Sequence, residues 1–410
     1  MHLRHLLVPL AGLLLLVSPP PAQSAQNGAS NKGRLNRRPY SGDSPWNLRI
    51  GPDPVYDEFS NRLVENLRGP FGCDPTQYTY PVYDRPRKHK TVRTVLVWGV
   101  YSEVTGSGAD LSVRKRTKVR LPLPSEPVPS RGTDSQLIVI NPDTGDEWGF
   151  WRFQRLEDGS LRARNGNHYD VGWTGVPPIG FVSRGAGLPY LAGLIRPHEI
   201  RRGRIRHALA FGCRSPAALF VYPATKSDGD GGPGALPEGA RLQLNPSLSE
   251  EDFKRWGLDG TGRIIARALQ EYGMILVDGS GHPKIYLEDE RTADWKDLLD
   301  PETVSPIPYG AFRVLSLETP PKPAPPANLR ATRRNGRTTL RWEPSPTATR
   351  YRVLRRPRNA KEWETVDSWV TQNRWVEEET GAGGSPVYRV RAVSHNGISP
   401  PKEVRPRTAQ

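Results

Sequence analysis

Residues 185–213 read GAGLPYLAGLIRPHEIRRGRIRHALAFGC and carry the main clues to the fold of this chain. Glycines and a proline divide the first half into short turns, and Arg196–Ile200 has the composition of one helical turn. Residues Arg204–Phe211 then alternate so that His207 shares one face with apolar side chains. We therefore predict a helical turn followed by a buried strand, and a main domain built on strands.

The flanking sequence extends this prediction to residues 46–317, where short apolar runs are broken by Gly, Pro and Asp at close spacing. Such spacing favours a mainly β fold, and we expect a jelly-roll-like β-sandwich with a small helical insertion. The helices are predicted at Ser249–Trp256, with Ser249 as N-cap, and at Thr261–Tyr272. The predicted strands are Thr91–Tyr101, Gln136–Asn141, Glu147–Gln154, Arg204–Phe211, Leu219–Tyr222, Met274–Val277 and Lys284–Leu287.

The N-terminus has the pattern of an export signal. A basic start, an apolar core and the small residues of Ala22-Gln-Ser24 predict a secretory signal peptide over residues 1–24, which is too short in its apolar part to span a membrane. Residues 25–45 hold almost no large apolar side chain and predict a disordered leader. We therefore expect a secreted, extracellular monomer without a membrane span.

Charge and cysteine content fit an exported protein. The chain has 410 residues and a formal net charge of +15, which favours anionic glycans or cell-wall polymers as partners. Its two cysteines are Cys73 and Cys213, and an oxidising compartment favours a disulfide between them. Such a bridge would close a loop of about 140 residues and contribute up to ~5 kcal/mol.

The composition changes at the proline-rich stretch TPPKPAPP, so we predict a linker over residues 318–326 and a further domain over 327–408. Alternating segments in this domain end at turns and place Trp342 in the second strand, Tyr351 in the third and Tyr388 in the later YRVRAV strand. In this order the segment resembles a fibronectin type III module, with Pro386 departing from the usual corner tyrosine. The module holds 17 Lys and Arg residues against 8 Asp and Glu. It is either a spacer or a platform that binds an acidic surface.

Two titratable residues near the opening stretch are candidates for catalysis. His207 on the apolar face is either a hydrogen-bonded core residue or a general base, and Glu199 could reach it from the preceding turn. The second possibility predicts a Glu199–His207 dyad, although a charged pair at a bend is more often structural.

A second group of candidates lies in residues 141–184. Glu147 and Trp151 share one face of a predicted strand, an acid and an indole that could contact a sugar, or they belong to an ordinary amphipathic strand. The loop between Asn165 and Gly180 adds further possible substrate-binding side chains: His168, Tyr169, Asp170 and Trp173. With the nearby Arg184 and Arg196, they could hold a uronate as a polysaccharide lyase would.

Other chemistries lack motifs. The His168–Asp170 pair stands without a zinc or calcium motif, so we predict no metal and no cofactor. No nucleophile elbow or phosphate loop is present. The basic run 201–206 has no interleaved aromatic residues, so nucleic acid is not an expected partner.

The run AGLPxLxGLIRxxE followed by GRIxHAL, with the later GARLQLNPSL, is similar to an uncharacterised family of secreted bacterial, actinobacterial-type proteins. The resemblance implies export and, by association, a role on glycans, but no catalytic residues. Two functions therefore stand side by side: a polysaccharide hydrolase or lyase using Glu147, Glu199 and His207, or a non-catalytic glycan-binding or wall-associated protein. The third alternative is a purely structural role, with every named residue in the core.

Overall fold

The computed structural model describes residues 38–84, 92–97, 117–177, 183–258, 260–299, 302–317, 323–343 and, with short gaps, 345–408. The predicted signal peptide, residues 25–37 of the leader and residues 318–322 of the linker lie outside the described residues. Residues 38–45 of the predicted leader are packed, because Tyr40 is buried and its backbone N–H donates to Val171 O at 2.6 Å. No helix among the described residues is long and apolar enough to cross a membrane.

The part of the chain up to residue 317 contains four α-helices, a 3₁₀ helix at Tyr309–Ala311 and fifteen strands among the residues that the structure describes. The helices are α1 (Ser60–Glu65), α2 (Pro197–Arg201), α3 (Glu250–Arg255) and α4 (Gly260–Glu271). The strands are β1 (Val82–Tyr83), β2 (Val92–Val97), β3 (Thr117–Pro122), β4 (Leu137–Asn141), β5 (Asp146–Trp151), β6 (Gln154–Arg155), β7 (Leu161–Ala163), β8 (Asn165–Asp170), β9 (Leu209–Cys213), β10 (Ala217–Phe220), β11 (Pro237–Glu238), β12 (Arg241–Leu244), β13 (Met274–Gly279), β14 (Lys284–Ile285) and β15 (Phe312–Val314).

The largest sheet of this part has the order β14-β9-β13-β12-β15, with β9 and β13 parallel and the other pairs antiparallel. Alternate side chains of β9 and β13 enter two different cores: Leu209 and Leu276 pack with α3 and α4, while Ala210 and Ile275 pack on the opposite side. Because both faces are covered, the strands are almost wholly apolar.

A second sheet, β1-β4-β5-β8, lies between two cores in the same way. Ile138 and Ile140 join the core shared with the largest sheet, whereas Leu137 and Val139 pack against the third sheet, β3-β2-β7-β6. The mainly β class is confirmed, and the sheets are mixed rather than purely antiparallel. Both predicted helices are confirmed within two residues at each end, including the cap in which Asp252 N donates to Ser249 Oγ.

The expected disulfide is wrong, since Cys73 and Cys213 are buried as thiols. The sheet explains why. Gly72 pairs with Lys284 on one side and Gly212 pairs with Lys284 on the other, so β14 separates the two segments. Two strand spacings place their Cα atoms about 9–10 Å apart or more, beyond the ~4.4–6.8 Å that a disulfide spans.

Residues 327–408 form two further sheets that face each other around one core. Their strands are β16 (Ala327–Arg334), β17 (Arg337–Glu343), β18 (Arg350–Arg356), β19 (Glu364–Val370), β20 (Arg374–Glu378), β21 (Val387–Ser394), β22 (Gly397–Ile398), β23 (Lys402–Val404) and β24 (Arg407–Thr408). One sheet has the order β20-β17-β16-β24 and the other β19-β18-β21-β22, with β23 also on β21. Trp342, Tyr351 and Tyr388 are buried between them, which is the sandwich architecture of a fibronectin type III module.

Candidate functional site

The structure brings the predicted pair Glu199 and His207 into contact. The His207 Nε2 atom lies 3.0 Å from Glu199 Oε1, and its Nδ1 atom lies 2.9 Å from the carbonyl oxygen of Ala208. Burial alone would lower the pKa of His207, but the charge of Glu199 and the hydrogen bonds together raise it. Both ring nitrogens therefore face acceptors, and the raised pKa favours the form in which both nitrogens donate and no lone pair is left for a general base.

Glu199 also has a structural role in α2. Its Oε2 atom accepts a hydrogen bond from the backbone N–H of Arg196 at 3.1 Å, which closes a capping box at the helix start. Arg196 in turn donates to Glu288 Oε2 and to Asp84 Oδ2, each at 2.7 Å. The predicted uronate-binding arginine is thus held by two carboxylates and fixes the turn before the strand.

Glu147 is fully buried in the core between the two sheets. Its two carboxylate oxygens accept hydrogen bonds, from Tyr40 Oη at 2.9 Å and from the backbone N–H of Leu191 at 2.9 Å. Burial raises the pKa of Glu147 to about 7, with the hydrogen bonds and the charge of Arg184 acting in the opposite direction. Tyr169, directly across the ladder, is also buried and contacts Tyr40 edge to face.

Arg184 lies in the same core. Its guanidinium donates to the carbonyl oxygens of Ala192 and Tyr190 and stands over three tyrosine rings, at 4.9 Å from the centroid of Tyr80 and 5.6 Å from that of Tyr286. Its Nε atom is buried without a hydrogen-bond partner. The residue organises the interior and does not line an open groove.

The remaining predicted residues surround β8, which is a strand where a loop was expected. His168 Nε2 contacts Asp146 Oδ1 at 2.7 Å and its ring stacks on Trp148. Asp170 accepts from Gly172 N at 2.7 Å in the following turn, and Trp173 meets Tyr169 edge to face.

Trp151 is half-buried at the end of β5. Its indole Nε1 donates to Asp134 at 3.0 Å, and the Arg152 guanidinium covers the ring at 4.4 Å from its centroid, with Arg164 at 5.9 Å. We find no hydrogen bond or ion pair that joins Trp151 or Glu147 to His207 within the described ranges. The predicted residues therefore belong to separate groups of contacts.

A different group of side chains converges, and we name it the carboxylate cluster: Asp228, Glu238 and Asp278. One oxygen of each lies within 4.8 Å of the other two. Asp228 is exposed, Asp278 is partly buried and Glu238 is fully buried at the end of β11. Burial and the neighbouring carboxylates raise the pKa of Glu238 to about 8 and that of Asp278 to about 7.

The sequence analysis missed this cluster because its members are far apart along the chain. Parallel pairing of β10 with β11 places Glu238 opposite Phe220, and the hydrogen bond from Gly239 N to Leu276 O at 2.8 Å brings β11 against β13. The one local signal is the acidic, glycine-rich stretch 227–232, SDGDGG, which has no calcium-loop spacing.

Comparison with known proteins adds little. No family model matches the chain, and no curated protein matches it. Solved structures that match include a Fn3-like protein from Clostridium thermocellum (22% identity, 23% of this chain and 97% of that chain, TM-score 0.20). Others are the twitchin kinase region from C. elegans (21% identity, 20% and 16%, TM-score 0.19) and the FN5 domain of Drosophila Lar (17% identity, 20% and 96%, TM-score 0.17). At these TM-scores they carry no argument about function.

Proposed function

We propose that this chain is an extracellular protein that binds an anionic polysaccharide or cell-wall polymer, without turnover, through its fibronectin type III sandwich. The observation that carries the proposal is a line of three arginines across β16, β17 and β20, which we name the arginine row. Arg330 pairs in register with Arg341, and Arg341 pairs with Arg374. All three are exposed.

The arginine row is unfavourable for the fold itself. Cβ atoms of directly opposed residues lie about 4.5–5.5 Å apart, and like charges at that distance destabilise a sheet. None of the three forms an ion pair among the residues that the structure describes. An anionic polymer would relieve this repulsion, because each guanidinium can bind a carboxylate, sulfate or phosphate through two parallel hydrogen bonds.

The burial and hydrogen bonding of the residues predicted to be catalytic favour binding without turnover. Both nitrogens of His207 face acceptors, and both oxygens of Glu147 accept hydrogen bonds inside a core. A general acid or base must reach the substrate, and these groups are covered. The net charge of +15 favours a polyanion.

The test is retention of the purified mature protein on immobilised heparin and polygalacturonate, with dextran as a neutral control. A variant with Arg330→Gln, Arg341→Gln and Arg374→Gln should bind about 5–150-fold more weakly, since three exposed charge contacts are worth about 1–3 kcal/mol. A matched variant removes three charges of the same module outside the row: Arg358→Gln, Lys361→Gln and Arg405→Gln.

The matched variant separates a specific surface from net charge. Equal weakening in both triple variants, or equal retention on dextran, would refute the arginine row as the binding surface. Reducing ends and unsaturated uronates are measured in the same incubations. New reducing ends alone, formed by the wild type, would instead support a hydrolase, and both signals together would support a lyase.

A further inference from the structure

The carboxylate cluster contains a buried acceptor without a partner. Glu238 is 0% exposed, and its Oε1 atom makes no hydrogen bond, while its Oε2 atom accepts from Asp228 N at 3.3 Å. None of the three carboxylates forms an ion pair with any described residue. A buried oxygen of this kind costs free energy unless something binds it.

The unpartnered oxygen points into the space that the other two carboxylates share. A Cβ atom on Gly185 would overlap Glu238 Oε1 and Asp228 Oδ1 and would lie 3.0 Å from Asp278 Oδ1. The three oxygens therefore lie close together against this glycine, whose lack of a side chain allows them to approach one another. Any other residue at position 185 would fill the space between them.

The spacing of the oxygens suits a calcium ion. Ca²⁺ binds oxygen at about 2.3–2.6 Å, so two ligands of one ion can be up to about 5 Å apart, and it accepts irregular arrangements of carboxylates, whereas Mg²⁺ demands near-ideal octahedral geometry. The cluster oxygens lie within 4.8 Å of one another. Three carboxylates offer up to six oxygens, and the absence of Cys or His from the group disfavours softer metals.

Two cationic side chains lie near the cluster and could neutralise the carboxylates in place of a metal ion. The Lys226 ammonium donates to the carbonyl oxygen of Gly185 at 2.6 Å, and the Arg184 guanidinium donates to backbone carbonyls. These two positive charges offset two of the three negative charges that the carboxylates carry when all are ionised. Because the pKa values of Glu238 and Asp278 are raised to about 8 and about 7, a bound ion must displace protons from the cluster near neutral pH. The exposed Asp228 gives an ion a route in from solvent.

We propose that Asp228, Glu238 and Asp278 form a Ca²⁺ site that joins the 227–232 loop to β11 and β13. In binding, the ion takes the place of the missing partner of Glu238 and fixes the loop against the largest sheet. The site lies in a different part of the chain from the arginine row, so either proposal can fail alone.

The experiment is calorimetric titration of Ca²⁺ into the chelator-treated mature protein, together with thermal unfolding at each Ca²⁺ concentration. The wild type should bind one Ca²⁺ and unfold at higher temperature when loaded. Asp228→Asn and Glu238→Gln should each weaken binding by at least about tenfold, because affinity follows the number of charged ligands.

Asp230→Asn is the matched control, because Asp230 is exposed two positions from Asp228 and is not a member of the cluster. It should bind Ca²⁺ as the wild type does. The proposal is overturned if the wild type shows neither heat nor a thermal shift at millimolar Ca²⁺. Unchanged affinity in Asp228→Asn would overturn it equally. If Glu238→Gln does not fold, Asp228→Asn alone tests the proposal, because Asp228 is exposed and its substitution should not prevent folding.

Discussion

Glu147→Gln should make the protein more stable than the wild type above neutral pH and should leave it nearly unchanged below pH 5. Glutamine keeps the shape of the side chain and can still accept from Leu191 N, while the Tyr40 hydroxyl can turn to accept from the new amide. What the substitution removes is a carboxyl that must ionise inside a core as the pH rises.

The magnitude follows from the difference between the folded and unfolded pKa. The pKa of Glu147 is raised by burial to about 7 from its ordinary 4.5. A carboxyl with a raised folded pKa stabilises the fold fully below pH 4.5, and this contribution is lost as pH rises through 7. At about 1.36 kcal/mol per pH unit, the full loss is about 3.4 kcal/mol.

Other charged groups near Glu147 do not alter how the stability difference between wild type and variant depends on pH. Arg184 and His168 favour the ionised carboxylate, and both stay in place in the variant. Other carboxyls with raised pKa values, such as Asp289, contribute equally to both proteins and cancel in the difference. The pH dependence of the difference therefore belongs to Glu147.

Urea unfolding of residues 46–317 in the full chain, measured at pH 5 and pH 8, gives the free energy of unfolding of the wild type and of Glu147→Gln. The stability of the variant relative to the wild type should increase by about 2–3 kcal/mol from pH 5 to pH 8. A difference that does not change with pH would show that Glu147 titrates normally, and the burial argument would be refuted.

Three further results are expected. Because Cys73 and Cys213 are thiols on opposite sides of β14, dithiothreitol should leave the melting temperature unchanged and Ellman's reagent should count two thiols after unfolding; a drop in melting temperature would contradict this. Glu199→Gln should destabilise by about 3–5 kcal/mol near pH 6 and less near pH 9, since the raised pKa of His207 means its contribution is lost as pH rises; equal effects at both pH values in thermal unfolding would argue against the ion pair. Phe211→Ala, at 0% exposure, should cost about 3–5 kcal/mol in urea unfolding, and a cost under 1 kcal/mol would contradict its place in the core.

Local sequence signals predicted local structure well. The two helices at 249–256 and 261–272 follow from a capping pair and a 3.6-residue period, both contained within a few residues, and the structure places them at Glu250–Arg255 and Gly260–Glu271. The strand predicted over Arg204–Phe211 is only partly correct, because the observed strand begins at Leu209 and ends at Cys213. Its predicted first half bonds elsewhere: Arg204 pairs with Glu271, and Ala208 N donates to Trp46 O.

The candidate site could be predicted only in part, since contacts depend on which surfaces are covered. The Glu199–His207 contact was one of two predicted alternatives because eight residues and one turn separate the pair. Alternation placed Glu147 on one face of β5, but it could not show that another layer covers that face. The carboxylate cluster depends on the pairing of β10, β11 and β13, which no local pattern reveals.

Satisfaction of hydrogen bonds separates structural from functional polar groups in this protein. Glu147, His207 and Arg196 have the chemistry of an active site, yet each is fully engaged by donors or charges inside the fold. A buried group with its partners in place stabilises one conformation and has nothing left to offer a ligand. Glu238 is the opposite case, because its inward oxygen lies beside two more carboxylates and has no donor. The arginine row likewise presents side chains without an ion-pair partner at the surface, so both proposals rest on polar groups that the described fold leaves without a partner.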